Sequence, residues 1–181
     1  ALSAARSAAS WARFLIPAIF GVWADLAAKH WAFPQALDLT LPFNGRFAQH
    51  PWSAIPGVLT VETVVNPGGV FGQMQGWAGF LAIFSAAAVL AIVYAFVRSR
   101  RKQIWVHIAL GLILAGALGN LYDRARFGVV RDFMRFNVSW YPYVFNIADV
   151  LLCIGVPLLL ICWSQKPSDD GPAEAGPAKG I

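Results

Sequence analysis

Asp132 and Asp149 are the residues of this chain whose type and setting can do the most chemistry. Asp149 stands near the start of an apolar run, three residues after Asn146; Asp132 lies in Gly128-Val129-Val130-Arg131-Asp132-Phe133, in the connection leading to that run. A connection of this length between two adjacent helices can bring the two carboxylates together. In a shared, partly dry site both cannot ionise easily, so one keeps a proton while the other acts as base on a water. That is the minimum equipment for hydrolysing a peptide bond without a covalent nucleophile or a metal. Each also has a plainer role open to it: Asp149 as an acid favoured by the dipole in a helix's first turn, Asp132 as a solvated loop residue.

The other ionisable and amide side chains in apolar surroundings gather at the same level. Asp25 and Lys29 stand in the first apolar run, Asn120, Asp123 and Arg124 at the end of the third, and Asn146 beside Asp149 in the fourth. A charge at mid-bilayer costs about 2.5–3.5 kcal/mol on insertion scales, so such residues default to functional candidates. Asn120 and Arg124 are spaced i,i+4 and Asn146 and Asp149 i,i+3, so each pair shares a helix face. Asp25 with Lys29 also reads as a salt bridge at the membrane edge, and Asp123 with Arg124 as an ion pair supporting a helix end. Ser139 is the one serine read as near the site, and its basic neighbours are arginines, which cannot act as a base. His30, His50 and His107 are far apart and form no HExxH pair. Cys153 and Cys162 share one run, about 13 Å apart on a helix, well beyond the roughly 7 Å a disulfide spans. No metal site is expected.

Positioning this cluster falls to apolar elements. With 58% hydrophobic and 13% charged residues in 181, and a mean hydropathy of +0.58, the chain lacks the charge to cover a water-facing surface; lipid is its natural solvent. Four runs reach the roughly 20 residues that span a bilayer: 12–31, 79–97, 104–122 and 144–163. Trp11, Trp31, Trp77, Trp105 and Trp163 mark their ends, at the headgroup level such rings favour. The first run is too long for a signal-peptide core and carries Asp25 and Lys29, so it is read as a retained span. The net charge of +5 sits in short groups between the runs, which sets orientation and offers no stripe for nucleic acid. Arg98, Arg100, Arg101 and Lys102 put the connection between spans two and three, and with it both termini, in the cytoplasm. From about 32 to 76 the polarity is mixed: Leu37–Leu41 alternates with period two and Val58–Val64 is rich in β-branched residues, so both read as short strands. The Pro, Gly and Ala of 166–181 predict a disordered tail. The expected fold is thus integral membrane and mainly α: four transmembrane helices with a small β-containing subdomain on the outer face, in a single domain over 1–165.

Three segments, in order and attached to the right spans, resemble the lipoprotein signal peptidases (signal peptidase type II): Asn66-Pro67-Gly68-Gly69-Val70-Phe71-Gly72; Gly116 to Arg124 continuing to Gly128-Val129-Val130-Arg131-Asp132-Phe133; and Phe145-Asn146-Ile147-Ala148-Asp149. Asp25 and Lys29 are similar to a further motif of that family. The resemblance implies an aspartyl endopeptidase with Asp132 and Asp149 as catalytic pair. Asn66, Gly68, Asn120, Arg124 and Asn146 would line the pocket or hold substrate and dyad, and Asp25 and Lys29 would support them. The implied substrates are bacterial prolipoproteins carrying diacylglycerol on a cysteine, cleaved just before it in the inner membrane near the periplasmic face. The resemblance also implies globomycin-like peptide inhibitors; no cofactor is needed and a monomer is expected. Arg131 departs from the pattern, which has a smaller apolar residue there; it could lower the pKa of Asp132 or meet headgroups. Arg126, Arg131 and Arg135 together could meet lipid phosphates. The competing readings are a small proton-coupled transporter or channel, which also uses paired intramembrane carboxylates, and a non-catalytic assembly factor.

Overall fold

The computed structural model describes residues 3–33, 51–67 and 78–164. The expected strand at Leu37–Leu41, Gly68 with the glycines after it, and the tail from 166 lie outside them. A 3-10 turn, Ala4–Arg6, is followed by α1 (Ala8–Ala32), β1 (Trp52–Ile55), β2 (Leu59–Asn66), α2 (Ala78–Arg98), α3 (Ile104–Phe127), β3 (Val130–Phe136), β4 (Val144–Phe145) and α4 (Ile147–Ser164). All four α-helices are long and apolar enough to cross a membrane. Ile19, Phe20, Ile83, Leu90 and Leu160 point outward, each more than 60% exposed, as residues facing lipid do.

α3 is the central helix, with half of its span buried against 6% for α2; α1, α2 and α4 pack round it. Gly111, Ala115 and Gly119, at successive i,i+4 positions, give it a face of small residues on which backbones approach closely. A Cβ on Gly111 would strike the carbonyl oxygen of Phe14 in α1, and one on Gly116 the carbonyl oxygen of Ala148 in α4. At Gly119 it would strike the Asp25 carboxylate. Gly119→Ala is therefore expected to lower stability by about 1–3 kcal/mol through overpacking, despite alanine's better helix propensity. Gly79→Ala in α2, where nothing lies within 4 Å of the added methyl, should lower nothing; thermal unfolding in detergent compares the two.

At the end of the bundle holding the basic α2–α3 connection, Phe14 stacks on Phe96 at 4.2 Å. The N-terminal turn is tied to the same connection by Ala4 N–H donating to Ser99 O (3.0 Å). The opposite end carries an antiparallel sheet, ordered β1-β2-β3-β4, which draws together the α1–α2 and α3–α4 connections. β2 takes in residues 59–64 of the strand expected at Val58–Val64, with Val58 itself in the preceding turn. Asp132, expected in a loop, is instead a residue of β3. This strand escaped period-two reading because it is buried on both faces: Val130, Arg131, Asp132 and Phe133 are all buried, so polar and apolar residues fall on each side. Gly128 makes the turn into it, closing α3 with φ 74°, ψ −2°, a left-handed conformation costly for any residue with a Cβ. The third helix accordingly runs past 122 to Phe127. The fourth starts later than expected, because Val144 and Phe145 pair with Arg135 and Met134 of β3.

Candidate active site

β3 presents Asp132 to one side and Arg131 and Phe133 to the other, as pleating requires. A bulge lies beside it: Val61 pairs with Met134 and Val64 with Asp132, so Glu62 and Thr63 together oppose Phe133. Bulges re-aim neighbouring side chains, and past this one Asn66, opposite Val130, donates from Nδ2 to Asp132 Oδ2 (3.2 Å).

Asp149 is placed by the start of α4. Asn146 Oδ1 accepts from Asp149 N–H (3.0 Å), and Asn146 N–H donates to Asp149 Oδ2 (3.1 Å), a reciprocal capping box. The helix-end role open to Asp149 from sequence is thus real, and it leaves Oδ1 to accept from Asn120 Nδ2 (2.9 Å). Asn146 also donates from Nδ2 to Asp132 Oδ1 (2.7 Å), so one amide residue ties the two aspartates together. The same Nδ2 lies 3.1 Å from Asn120 Oδ1 and 3.4 Å from Arg131 O.

Asp132 is 3% exposed. Burial pushes its carboxyl up to about 8, with the negative charge of Asp149 adding to the effect; hydrogen bonds from Asn66 and Asn146 and the charge of Lys29 pull the other way. At neutral pH Asp132 therefore holds a proton. Asp149, at a helix N-terminus, accepts one hydrogen bond on each of its oxygens.

Behind the pair runs a chain of fully buried charges. Lys29 Nζ meets Asp25 Oδ2 at 2.7 Å and Asp123 Oδ2 at 3.2 Å, and donates to Asn120 Oδ1 (3.2 Å). Asp25 Oδ1 accepts from Ala148 N–H (2.9 Å), capping α4 from a neighbouring helix. Asp123 does not pair with Arg124 as expected: it pairs with Lys29 and with Arg131, whose Nη2 lies 2.7 Å away. Successive helix residues face different ways, so Arg124 points instead into the cavity, donating to Ser85 Oγ (3.3 Å). Ser85, on the charge-free second span, is the serine at the site; Ser139 is exposed. Nothing in the sequence of α2 marked it.

Asp132, Asp149, Asn66, Asn120 and Arg124 all line one cavity of 1330 Å³, which runs from the sheet down between α2, α3 and α4 to Ile92 and Ile113. α2 and α4 both lean on α3 without packing side by side, and the space between them is apolar: Phe80, Leu81, Phe84, Ala88 and Leu152 form its walls. Tyr141 closes the upper rim, its phenol held protonated by burial. Among the predicted site residues, Asp25 and Lys29 stand behind the cavity as supports.

The cavity that holds both carboxylates thus lies within a bundle of four helices long and apolar enough to cross a membrane. Comparison with known proteins supplies the class. The family model for signal peptidase (SPase) II matches residues 17–164. The lipoprotein signal peptidase of Staphylococcus aureus (strain MRSA252) is 36% identical over 119 residues, 65% of this chain and 73% of its own length. That of Desulfitobacterium hafniense (strain DSM 10664 / DCB-2) is 37% identical over 136 residues, 72% and 85%. A bacterial membrane enzyme solved at 2.3 Å by the in meso method superposes with a TM-score of 0.72 at 29% identity, covering 88% of this chain and 92% of that one. The chain belongs to the signal peptidase II family and is a multi-pass membrane peptidase; the transporter reading is set aside.

Proposed function

We propose that this peptidase removes signal peptides from prolipoproteins with Asp132 and Asp149 as an aspartyl dyad, cleaving before a cysteine that carries diacylglycerol. The observation that carries the reading is Asn146, whose contacts bind both carboxylates to the wall of a single cavity. That cavity has polar groups only at its sheet end and apolar walls below, which suits a peptide bond flanked by lipid. Its opening between α2 and α4 admits a substrate sideways from the bilayer. The dyad end lies on the outer, periplasmic side of the inner membrane with both termini cytoplasmic, since the basic group from Arg98 to Lys102 is at the opposite end. A globomycin-like peptide would occupy the same cavity.

The chemistry follows from the proton count. Asp149 takes a proton from a water whose oxygen attacks the scissile carbonyl carbon, while Asp132 gives its proton to the carbonyl oxygen. The resulting gem-diol collapses as the C–N bond breaks. The proton on Asp149 passes to the leaving amine and a diol proton returns to Asp132. The products are a signal peptide ending in a carboxyl group and a lipoprotein with a free amine. Asn120 and Asn146 hold the carboxylates, and Arg124 and Asn66 face the substrate backbone.

Cleavage of a diacylglyceryl-modified prolipoprotein by the purified protein tests this, with the unmodified precursor as control. Only the modified precursor should be cut. As pH rises through about 8, Asp132 loses its proton and kcat/KM, which reports the free enzyme, should fall by about tenfold per unit. Equal cleavage of both precursors would remove the lipid from the recognition, and a kcat/KM flat well above that pH would remove Asp132 as the proton holder.

A further inference from the structure

Arg131 is the residue that departs from the family pattern, and neither role foreseen for it is found. Its guanidinium lies on the face of β3 opposite Asp132 and is buried within the protein, 7% exposed for the residue. It makes three hydrogen bonds to one carboxylate at the end of α3. The backbone N–H donates to Asp123 Oδ2 (3.0 Å), and Nε and Nη2 donate to Oδ1 (3.1 and 2.7 Å). Its Cζ sits 4.7 Å from the centroid of the Phe127 ring, which closes the pair off from the other side. Its carbonyl oxygen faces Asn146 Nδ2.

We propose that Arg131 is a positioning residue for the dyad, clamping β3 onto α3 so that Asp132 stands at the depth of Asp149. This rests on the dyad reading above. Two physical effects act together. The three-point grip on Asp123 fixes the backbone of the residue covalently joined to Asp132. The positive charge also completes a neutral buried set, with Asp25 and Asp123 balanced by Lys29 and Arg131. With Asp123 satisfied from β3, Lys29 keeps a proton for Asn120, and Asn120 keeps its amide on Asp149. Both aspartates therefore depend on the one arginine, by separate routes. Arg135 and Arg126 take no part: Arg135 pairs with Glu62 at 3.1 Å, and Arg126 lies over Phe127 at 5.5 Å.

The test uses the full chain, purified in detergent, with kcat and KM for cleavage of the lipid-modified precursor. Arg131→Gln should lower kcat by about 100-fold, the scale of a misplaced reacting group, and leave KM unchanged because the substrate cavity is on the other face of the strand. Arg131→Lys, which keeps the charge and loses the fork, should recover part of the loss. Arg131→Gln with Asp123→Asn restores a neutral set and should exceed Arg131→Gln alone in kcat. A purely structural residue would lower the unfolding temperature in all three variants and leave kcat of the folded fraction intact; that result overturns the proposal, as does a double variant no better than the single. Asp132→Asn in the same assay separates the two readings. If it still cleaves, the dyad is wrong; if it is inactive and Arg131→Gln cleaves like the natural chain, only the role of Arg131 is wrong.

Discussion

Asp132→Asn and Asp149→Asn should each abolish cleavage of the lipid-modified precursor, with a loss in kcat of about 10⁴-fold or more, and the double variant should be little worse than either. In the proposed mechanism each removes a proton carrier from a two-proton relay, so what remains is binding without chemistry. The variants should part company in stability. Asp132 has a folded-state pKa of about 8 against an ordinary value of 3.8, so the folded protein holds an extra proton between those values. Its stability falls as pH rises through that window, and at neutral pH the site carries a cost that asparagine lacks. Asp132→Asn should therefore unfold at a higher temperature than the natural chain near pH 8, the difference closing toward pH 4. At Asp149 one donor is the backbone N–H of Asn146, which cannot turn over. Asp149→Asn must break that bond or the one from Asn120, and loses about 1 kcal/mol of capping. Thermal unfolding beside the cleavage assay reads both signs. Retained cleavage in either variant removes that residue from the chemistry.

The four helices were legible because the bilayer sets a minimum apolar length and tryptophans mark its edges. The clustering of polar residues was legible for the same reason: in an apolar run, any charge stands out. Hence Asp25, Lys29, Asn120, Arg124, Asn146 and Asp149 all stood out as candidates, and the structure places each at the cavity or directly behind it. What resisted reading was pairing. Asp123 stood beside Arg124 in sequence, but residues one apart on a helix diverge by about 100°, and its partner came from a strand eight residues on. That strand was itself hidden, since burial on both faces erases the alternation by which half-buried strands are recognised. Ser85 was invisible because a lone serine in an apolar helix satisfies its hydroxyl on a carbonyl one turn back, here Leu81 O at 2.7 Å. Only the position of Arg124 across the cavity gives it a second use. β1 went unread too: Trp52–Ile55 is short and largely exposed, and its evidence is its pairing with β2.

Lys29→Met should be the most destabilising single change in the bundle. The residue is 0% exposed and faces two carboxylates that are also 0% exposed. Removing one partner of a buried ion pair costs about 3–5 kcal/mol, because the charge left behind has neither water nor counter-ion. Here two are left. Asp123 keeps Arg131 and survives best. Among the described residues Asp25 keeps the Ala148 N–H, and its repulsion from Asp123 is no longer screened by the ammonium between them. Since Asp25 caps α4 and Lys29 holds Asn120 against Asp149, the damage should reach the cavity in whatever protein still folds, as a lower kcat with a KM little changed. A second substitution separates charge from packing. Lys29→Met with Asp25→Asn removes the stranded carboxylate while an amide oxygen still accepts from Ala148, so it should regain a large part of the lost stability. A methionine variant that melts with the natural chain would show that the buried charges contribute nothing net to the fold. A double variant no more stable than the single would assign the loss to side-chain packing.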